Sequence, residues 1–159
     1  MRSQPNLDNQ ALAAYLAAAG SLAQPAAIAL DTYEQICCLA GTVADLTRLG
    51  MLLVMPPLGL DPAHCRVVTA IMSTCGLYEY SGQFAVTAGV PCKSGVSGAL
   101  VAIVPGQGVI AGYSPPLDRN GNSVAGIWLV QQLATTLRLS MFYRDVGEIK
   151  RIDLSEDWG

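Results

Sequence analysis

The sequence predicts an α+β fold in which a helical segment is followed by an antiparallel β-hairpin and a carboxy-terminal helix. Three observations support this class: helical spacing of apolar residues up to about residue 88, two β-branched runs joined by turn residues between about 96 and 114, and renewed helical spacing between about 122 and 138. With 159 residues, of which 52% are hydrophobic and 13% charged, the chain can bury one substantial core. We therefore expect one partial domain over residues 1–142. The charged tail over 143–159 is interpreted either as an appendage or as the start of a truncated segment.

Two helices are predicted at the beginning of the chain. The first covers Asp8–Ala19, which is rich in alanine and carries apolar residues at helical spacing, and Gly20 follows where a helix C-terminus favours glycine. The second follows Pro25 and continues to about Cys38. The first segment of the chain is therefore predicted to be helical.

Two further helices have stronger start signals. Thr42 precedes one of them, with Asp45 three residues later in a near capping box. Asp61 and Pro62 supply an N-cap followed by proline at the first helical position. In this fourth helix we expect four apolar residues to face inward: Val67, Val68, Ile71 and Met72.

The periodicity changes after Gly89. Val96–Val104 and Val109–Tyr113 are short apolar runs separated by Pro105–Gly108, which is turn chemistry, so they predict two antiparallel strands. A two-stranded hairpin is marginally stable alone, and its apolar residues need cover on both faces. We expect another element to pair with it.

The last helix is predicted to begin after Asn122 or Ser123, either of which can cap it. Its buried side should contain four residues: Ile127, Val130, Leu133 and Leu137. The predicted order is therefore helices, hairpin, helix.

Composition excludes several classes of function. Net charge is −3 and the basic residues are scattered, which argues against nucleic-acid binding. The single histidine and the cysteine spacing predict no metal site, and we expect no cofactor. No apolar run is long enough to span a membrane. The five cysteines include no CxxC pair and the chain begins with no signal-peptide pattern, which predicts a reduced, cytoplasmic setting. The high apolar content suggests surface that meets a partner, a second subunit or a missing part of the fold.

Lys93 is one of two lysines and directly precedes the first predicted strand. A solvated residue at the end of a strand is one interpretation. The other follows from Ser94 and Gly95, because Lys-[Ser/Thr]-Gly beside a pocket is a signature element of serine β-lactamases and penicillin-binding proteins. Gly95 would let the backbone approach a ligand, and nearby N–H groups could hold a developing oxyanion.

Two tyrosines are candidates for proton transfer. Tyr33 lies in the middle of a predicted helix, and Tyr78 lies in a loop of small residues between Cys75 and Gly82. Each could be a packed aromatic with its hydroxyl at the surface. A phenol near a lysine could instead carry a proton for a serine nucleophile.

The stretch Thr74–Gly98 resembles the bacterial and mitochondrial glutaminase family, which has a β-lactamase-like fold. The similarity covers roughly residues 8–142, and it continues through further segments: Asp8–Ala13, Leu30–Tyr33, Val104–Gly106, Ser114–Asp118 and Gly121–Gly126. Several independent motifs in the same order make coincidence a poor explanation. An unrelated α+β binding domain would require such a coincidence.

The resemblance implies hydrolysis of the side-chain amide of L-glutamine to glutamate and ammonia, through an acyl-enzyme on serine. Four positions match family residues that contact the substrate: Asn9, Tyr33, Tyr78 and Val96. Of these, Tyr33 and Tyr78 would lie near the nucleophile as auxiliary catalytic residues, and the N–H of Val96 would contribute to the oxyanion hole. Lys93, Ser94 and Gly95 would shape the pocket. A homo-oligomer is also implied.

The family's nucleophile lies in a Ser-x-x-Lys motif, and this sequence contains none. Val90 stands three residues before Lys93, and Gly147 stands three residues before Lys150. We therefore expect a truncated or degenerate glutaminase with no activity by itself. One alternative is an enzyme fragment completed by another polypeptide that supplies the Ser-x-x-Lys half; the other is a non-catalytic pseudoenzyme, a glutamine-binding or oligomerisation module.

Overall fold

A computed structural model describes residues 6–143 of the chain. The chain divides into two compact units, Met1–Gly41 and Thr42–Gly159. Apart from Tyr143, the predicted tail lies outside the described residues, and the single domain over 1–142 stays a prediction. Between residues 6 and 143, no helix has the length and apolar character needed to cross a bilayer.

The first unit contains two helices, α1 (Leu7–Ala18) and α2 (Ala26–Cys37). Asn6 caps α1, because its side-chain oxygen accepts the N–H of Asn9 at 3.2 Å. Gly20, just beyond the end of α1, has a φ of 68°. Both predicted helices are confirmed, with ends that differ from the prediction by one residue.

The second unit begins with α3 (Val43–Val54) and α4 (Pro62–Cys75). The capping box of α3 is complete: the Thr42 hydroxyl accepts the N–H of Asp45 at 3.2 Å, and the Asp45 carboxylate accepts the N–H of Thr42 at 3.0 Å. Asp61 caps α4 by accepting the N–H of Ala63 at 2.8 Å. Both predicted starts are therefore confirmed.

The predicted buried side of α4 is largely wrong. Val67, Val68 and Ile71 are 57%, 44% and 55% exposed, whereas Met72 is buried as expected. Cys65 is the other buried residue of the helix. Residues seven apart lie on one line of a helix, so the buried line passes through Cys65 and Met72 and leaves Val67 and Ile71 on the outer side.

The segment Cys75–Gly82, predicted as a loop, contains a 3₁₀ turn, and a short helix then continues to Thr87, in agreement with helices predicted to about residue 88. Tyr78–Tyr80 forms a 3₁₀ turn, and α5 (Ser81–Thr87) follows it directly. Phe84 of α5 is 2% exposed and belongs to the core. The small residues between Cys75 and Gly82 had favoured a loop, so the 3₁₀ turn among them was not predicted.

The sheet has three antiparallel strands in the order β1 (Cys92–Ser94), β2 (Ala99–Val104) and β3 (Gly108–Tyr113). The predicted hairpin is confirmed as β2 and β3, with Ala99 opposite Tyr113 and Val104 opposite Gly108. The additional element that pairs with it is β1, in which Cys92 lies opposite Ala102.

The first predicted strand began too early. Val96 lies in a turn in which the N–H of Gly98 donates to the carbonyl of Gly95 at 2.9 Å, and β2 begins only at Ala99. Gly98 has a φ of 97°, a backbone conformation that glycine adopts without strain and that interrupts an extended run. Lys93 consequently lies within β1 and not before the first strand.

The two edges of the sheet differ. At the β1 edge, the N–H of Ser94 donates to the carbonyl of Gly76 at 3.2 Å. At the β3 edge, Gly108–Tyr113 pairs with β2 on one side, and within residues 6–143 no second strand pairs with its outer side. In the described part of the chain, other backbone therefore bonds to the β1 edge and not to the β3 edge.

Helices cover both faces of the sheet. A Cβ atom at Gly50 of α3 would lie 2.8 Å from Cγ1 of Val109 and 3.1 Å from Cγ2 of Val101, so the absence of a side chain lets α3 approach β2 and β3 closely. The opposite face carries Leu100 and Ala102 into the core. The last helix, α6 (Val124–Thr136), covers that second face.

Ser123 is the N-cap of α6, since its hydroxyl accepts the N–H of Gly126 at 3.2 Å, and this decides between the two predicted caps. Ile127 and Val130 are buried as expected. Leu137 is 59% exposed and is the C-cap of the helix, so that part of the predicted buried side is wrong.

Candidate functional site

Three separate segments of the second unit meet around the ring of Tyr78. The Nζ atom of Lys93 lies 5.5 Å from the centre of that ring. A Cβ atom at Gly121 would lie 3.6 Å from Cε2 of Tyr78 and 3.9 Å from Cγ1 of Val96. The 3₁₀ turn, the β1 strand with its following turn, and the loop before α6 thus converge at one place.

We call the group formed by Tyr78, Lys93, Ser94, Val96 and Asn122 the Tyr78 cluster. Its members come from residues 78 to 122 and belong to one compact unit. Four of the five were predicted as site residues from the sequence. The fold therefore collects candidates that are separated along the chain.

Tyr78 has a φ of 55°, which is unusual for a residue with a bulky side chain. Such conformations cost roughly 1–3 kcal/mol and persist only where surrounding contacts hold them, often at functional sites. The side chain is 44% exposed, and no hydrogen bond joins its hydroxyl to residues 6–143. The phenol is thus presented to solvent from a constrained backbone.

Lys93 occupies the middle of β1, whose burial alternates from buried Cys92 to exposed Lys93 to buried Ser94. This alternation follows the pleat and directs the lysine side chain away from the core. Its ammonium donates to the carbonyl of Ser94 and lies over the Tyr78 ring. Lys93 is therefore exposed, as a solvated strand residue would be, and its ammonium also contacts Ser94 and the Tyr78 ring.

Ser94 is 3% exposed, and its hydroxyl donates to Oδ1 of Asn122 at 2.5 Å. This hydroxyl faces the interior and has a committed partner, which fits the predicted shaping role and does not fit a nucleophile. Gly95 follows with its N–H donated to the carbonyl of Ala99 at 2.8 Å. Both residues fix the path of the backbone into the turn.

Val96 is 59% exposed at that turn. Within residues 6–143, no acceptor receives a hydrogen bond from its backbone N–H. An N–H group without an internal partner can donate to an oxyanion. Val96 lies outside any strand, so an oxyanion hole at this position would be made by a turn.

The sequence did not predict that Asn122 lies in this cluster, because the residue was considered only as a possible helix cap. The residue is fully buried, and its Nδ2 donates to the carbonyl of Leu77 at 3.2 Å. Asp118 fixes its backbone by accepting the N–H of Asn122 at 2.9 Å. The signal available in the sequence was the Gly121–Gly126 segment, one of those that carried the family resemblance.

Asn9 and Tyr33 belong to the first unit. Asn9 lies in the first turn of α1, and Tyr33 lies on α2 with 53% of its surface exposed. The structure brings together Tyr78, Lys93 and Val96 in the second unit. The substrate-binding roles of Asn9 and Tyr33 stay predictions.

Comparison with known proteins gives a consistent family. A model of the Glutaminase family matches residues 1–142. A glutaminase of Synechocystis sp. is 44% identical over 136 residues, which make up 84% of this chain and 41% of that protein.

Two solved structures extend the similarity to the fold. The probable glutaminase ybaS has a TM-score of 0.82 and 36% identity, covering 87% of this chain and 47% of its own. The Bacillus subtilis glutaminase YbgJ, solved as a covalent complex with 5-oxo-L-norleucine formed by reaction with 6-diazo-5-oxo-L-norleucine, has a TM-score of 0.79 and 32% identity, covering 85% of this chain and 51% of its own. The chain thus spans about two fifths to one half of the length of these proteins.

Proposed function

The chain belongs to the glutaminase family, and we propose that it is the carboxy-terminal part of an amidohydrolase that converts L-glutamine and water to L-glutamate and ammonia. The observation that carries this proposal is the convergence of Tyr78, Lys93 and Val96 around one exposed phenol. The covalent complex of the Bacillus subtilis relative supports a mechanism with a nucleophile.

In the proposed reaction, a serine hydroxyl attacks the side-chain amide carbon of glutamine and loses its proton to a base. The carbonyl oxygen gains negative charge, and the N–H of Val96 donates to it. Collapse of the intermediate breaks the C–N bond and releases ammonia with the transferred proton. Water then hydrolyses the serine ester to give glutamate.

Tyr78 is the residue of the second unit that we assign to proton transfer. Its hydroxyl has no acceptor among residues 6–143, and the Lys93 ammonium lies 5.5 Å from its ring centre. A phenol beside a positive charge can pass a proton between nucleophile and leaving group. Asn9 and Tyr33 are assigned to substrate contact, with Tyr33 also near the nucleophile; Lys93, Ser94 and Gly95 shape the pocket.

The nucleophile is the missing component. None of the 159 residues belongs to a Ser-x-x-Lys motif, so turnover by the proposed mechanism requires a nucleophile from outside these residues. This same observation favours the second candidate function, a non-catalytic module that binds glutamine or mediates oligomerisation. The two candidates share the Tyr78 cluster and differ in whether a complementing half exists.

The test combines calorimetric titration of the purified chain with L-glutamine and an ammonia assay. We expect the purified chain to bind L-glutamine and to release ammonia only at the background rate. Tyr78→Phe should bind L-glutamine more weakly. Tyr80→Phe is the matched control, because the Tyr80 hydroxyl is committed to accepting from Gln131 Nε2 at 3.0 Å. Robust turnover that survives Tyr33→Phe and Tyr78→Phe would overturn the site assignment.

Adding a separately purified amino-terminal half of the Synechocystis relative distinguishes the two candidates. Ammonia released by the mixture, and by neither half alone, would support the enzyme-fragment function. Binding of glutamine with no turnover in any mixture would support the non-catalytic module. Loss of ammonia on changing the serine of Ser-x-x-Lys in the added half is the control.

We also propose that this chain meets either a second copy or a missing amino-terminal half through apolar surface. The support is the outer side of α4, where Val67, Val68 and Ile71 are exposed, and Trp128 of α6, which is 61% exposed. Exposed apolar residues of this kind are typical of contact surfaces. Sedimentation of the chain alone and mixed with the added half separates the two partners.

A further inference from the structure

Asn122 is a fully buried amide that joins three segments of the second unit. Its Oδ1 accepts the Ser94 hydroxyl at 2.5 Å, and its Nδ2 donates to the carbonyl of Leu77 at 3.2 Å. A carbonyl oxygen can only accept, so the amide atom facing Leu77 must be the nitrogen. The orientation of the Asn122 side chain is thereby fixed by its partners.

The carbonyl of Leu77 belongs to the peptide plane directly before Tyr78. Holding this plane restricts rotation about the N–Cα bond of Tyr78, and that bond has the φ of 55°. The same carbonyl also accepts the N–H of Tyr80 at 3.2 Å. Asn122 is therefore the side-chain donor at the point where the unusual conformation begins.

The peptide plane after Tyr78 is held from another side. The Ser81 hydroxyl donates to the carbonyl of Tyr78 at 2.7 Å and accepts the N–H of Leu77 at 2.9 Å. Ser81 is buried, so water does not replace these bonds easily. Both planes flanking Tyr78 thus have buried side-chain partners, as a strained residue requires.

Asn122 itself is held by its own loop. Asp118 Oδ1 accepts the N–H of Asn120 at 2.8 Å and that of Asn122 at 2.9 Å. The carbonyl of Asn122 in turn accepts the N–H of Asp118 at 2.8 Å. These bonds fix the loop that carries Asn122, so its buried side-chain amide constrains the positions of Leu77 and Ser94.

We propose that Asn122 is a positioning residue that keeps Tyr78 in its left-handed backbone conformation and couples it to the Lys93–Gly95 segment. The catalytic consequence rests on the proposed function; the conformational part does not. When Asn122 loses its donor, Tyr78 relaxes toward an ordinary negative φ and its phenol leaves the place beside Lys93 and Val96. Asn122 touches no reacting atom.

The first test is Asn122→Asp, which keeps an acceptor for Ser94 and removes the donor to Leu77. NMR of the tyrosine-labelled chain reports the sign of φ at Tyr78, because a strong cross-peak between its own amide and Hα protons marks a positive φ. We expect this signal to disappear in Asn122→Asp, and glutamine affinity to fall about tenfold or more, the scale set by a buried acceptor that loses its donor.

Asn120→Ala is the matched control. Asn120 has the same residue type in the same loop, and its bond to Asp118 uses only the backbone N–H. We expect it to keep both the signal and the affinity. A folded Asn122→Asp chain that retains a positive φ at Tyr78 overturns the proposal. If the unchanged chain fails to bind glutamine, the proposed function fails while the NMR measurement still decides the positioning role.

A double-mutant cycle covers the case in which Asn122→Asp folds poorly. Glycine adopts a positive φ without strain, so in Tyr78→Gly the hydrogen bond from Asn122 is no longer needed to maintain this conformation. The fall in melting temperature caused by Asn122→Asp should then be much smaller in the Tyr78→Gly background than in the unchanged chain. Equal falls in both backgrounds would show that Asn122 supports packing in general and would overturn the proposal.

Discussion

The ammonium of Lys93 lies 5.5 Å from the ring centre of Tyr78, so two residues fifteen positions apart in the chain form one cation–π contact. The ammonium also donates to the carbonyl of Ser94, which restricts where it can lie. A contact of this kind at an exposed site is worth roughly 0.5–1 kcal/mol. It links the strand that carries the Lys-Ser-Gly signature to the constrained tyrosine.

Lys93→Met should lower the free energy of unfolding by about 0.5–1 kcal/mol, because the charge over the ring is lost while the apolar stem is kept. Denaturant unfolding followed by circular dichroism measures the difference. Lys93→Arg is the control, since it keeps a cation that can lie over the ring. An equal loss in both variants would contradict an energetic role for the cation–π contact.

Gly98→Ala should be strongly destabilising, by about 2 kcal/mol or more, because it combines an unfavourable backbone conformation with a clash. The φ is 97°, and a Cβ atom would lie 2.7 Å from Cα of Pro115 and closer still to the carbonyl oxygen of Ser114. Gly112→Ala is the control, with no atom within 4 Å of its Cβ position. Similar melting temperatures for the two variants would count against the turn geometry.

Phe84→Ala should cost about 3–5 kcal/mol, since the ring is 2% exposed and packs within the core. Val86 lies on the same helix and is 88% exposed, so Val86→Ala should change stability by no more than about 0.5 kcal/mol. Equilibrium unfolding of both variants measures the contrast. A small effect at Phe84 would show that α5 is not anchored as described.

Thiol labelling should divide the five cysteines into two classes. Cys37, Cys38 and Cys75 are exposed and should react quickly, whereas Cys65 and Cys92 are buried and should react only on unfolding. Mass spectrometry after a short pulse of alkylating reagent counts the modified residues. Rapid modification at Cys92 in the folded chain would contradict its burial.

Burial raises the pKa of the Cys92 thiol from 9.0 to about 12. The unfolded chain therefore loses this proton at a lower pH than the folded chain, so the free energy of unfolding should fall as pH rises from 9.0 toward about 12. Cys92→Ala should lack this part of the pH dependence. The same slope in both proteins would assign it to other groups.

Thr42→Ala should reduce the free energy of unfolding by about 0.5–2 kcal/mol, because α3 loses its N-cap. Thr47→Ala, in the middle of the same helix, is the control.

The backbone N–H of Thr42, and then its hydroxyl and Arg48, hold the pKa of the Asp45 carboxyl below its ordinary value of 3.8. The stabilisation by Asp45 is therefore present above pH 3.8 and is lost as the pH falls below it; Asp45→Asn should lack that loss.

Local chemistry predicted much of the fold. Thr42 with Asp45, and Asp61 with Pro62, announce helix starts whose hydrogen bonds are made within three residues, so the sequence contains all the partners. The hairpin is similarly local, because its turn residues lie between the two runs it joins. These features required no knowledge of the rest of the chain.

The features that were missed depend on distant partners. Asn122 bonds to Ser94 and Leu77, which lie 28 and 45 residues away, and no local pattern announces such a pairing. The buried side of α4 also depends on what packs against it, and apolar residues on its outer side, such as Val67, mislead a hydrophobicity pattern. The site residues came from family resemblance, whereas their mutual placement in the second unit came from the fold.

Among residues 6–143, the outer edge of β3 pairs with no strand, so the two edges of the sheet differ in their capacity for further pairing. At the β1 edge, the N–H of Ser94 donates to the carbonyl of Gly76. The outer edge of Gly108–Tyr113 has no paired strand in the described part of the chain, and this strand contains no charged residue or proline to deter pairing. Growth by one more strand can therefore occur at β3. We therefore expect edge-to-edge association of chains, if it occurs during production of the protein, to begin at this strand, and a lysine placed there should oppose it.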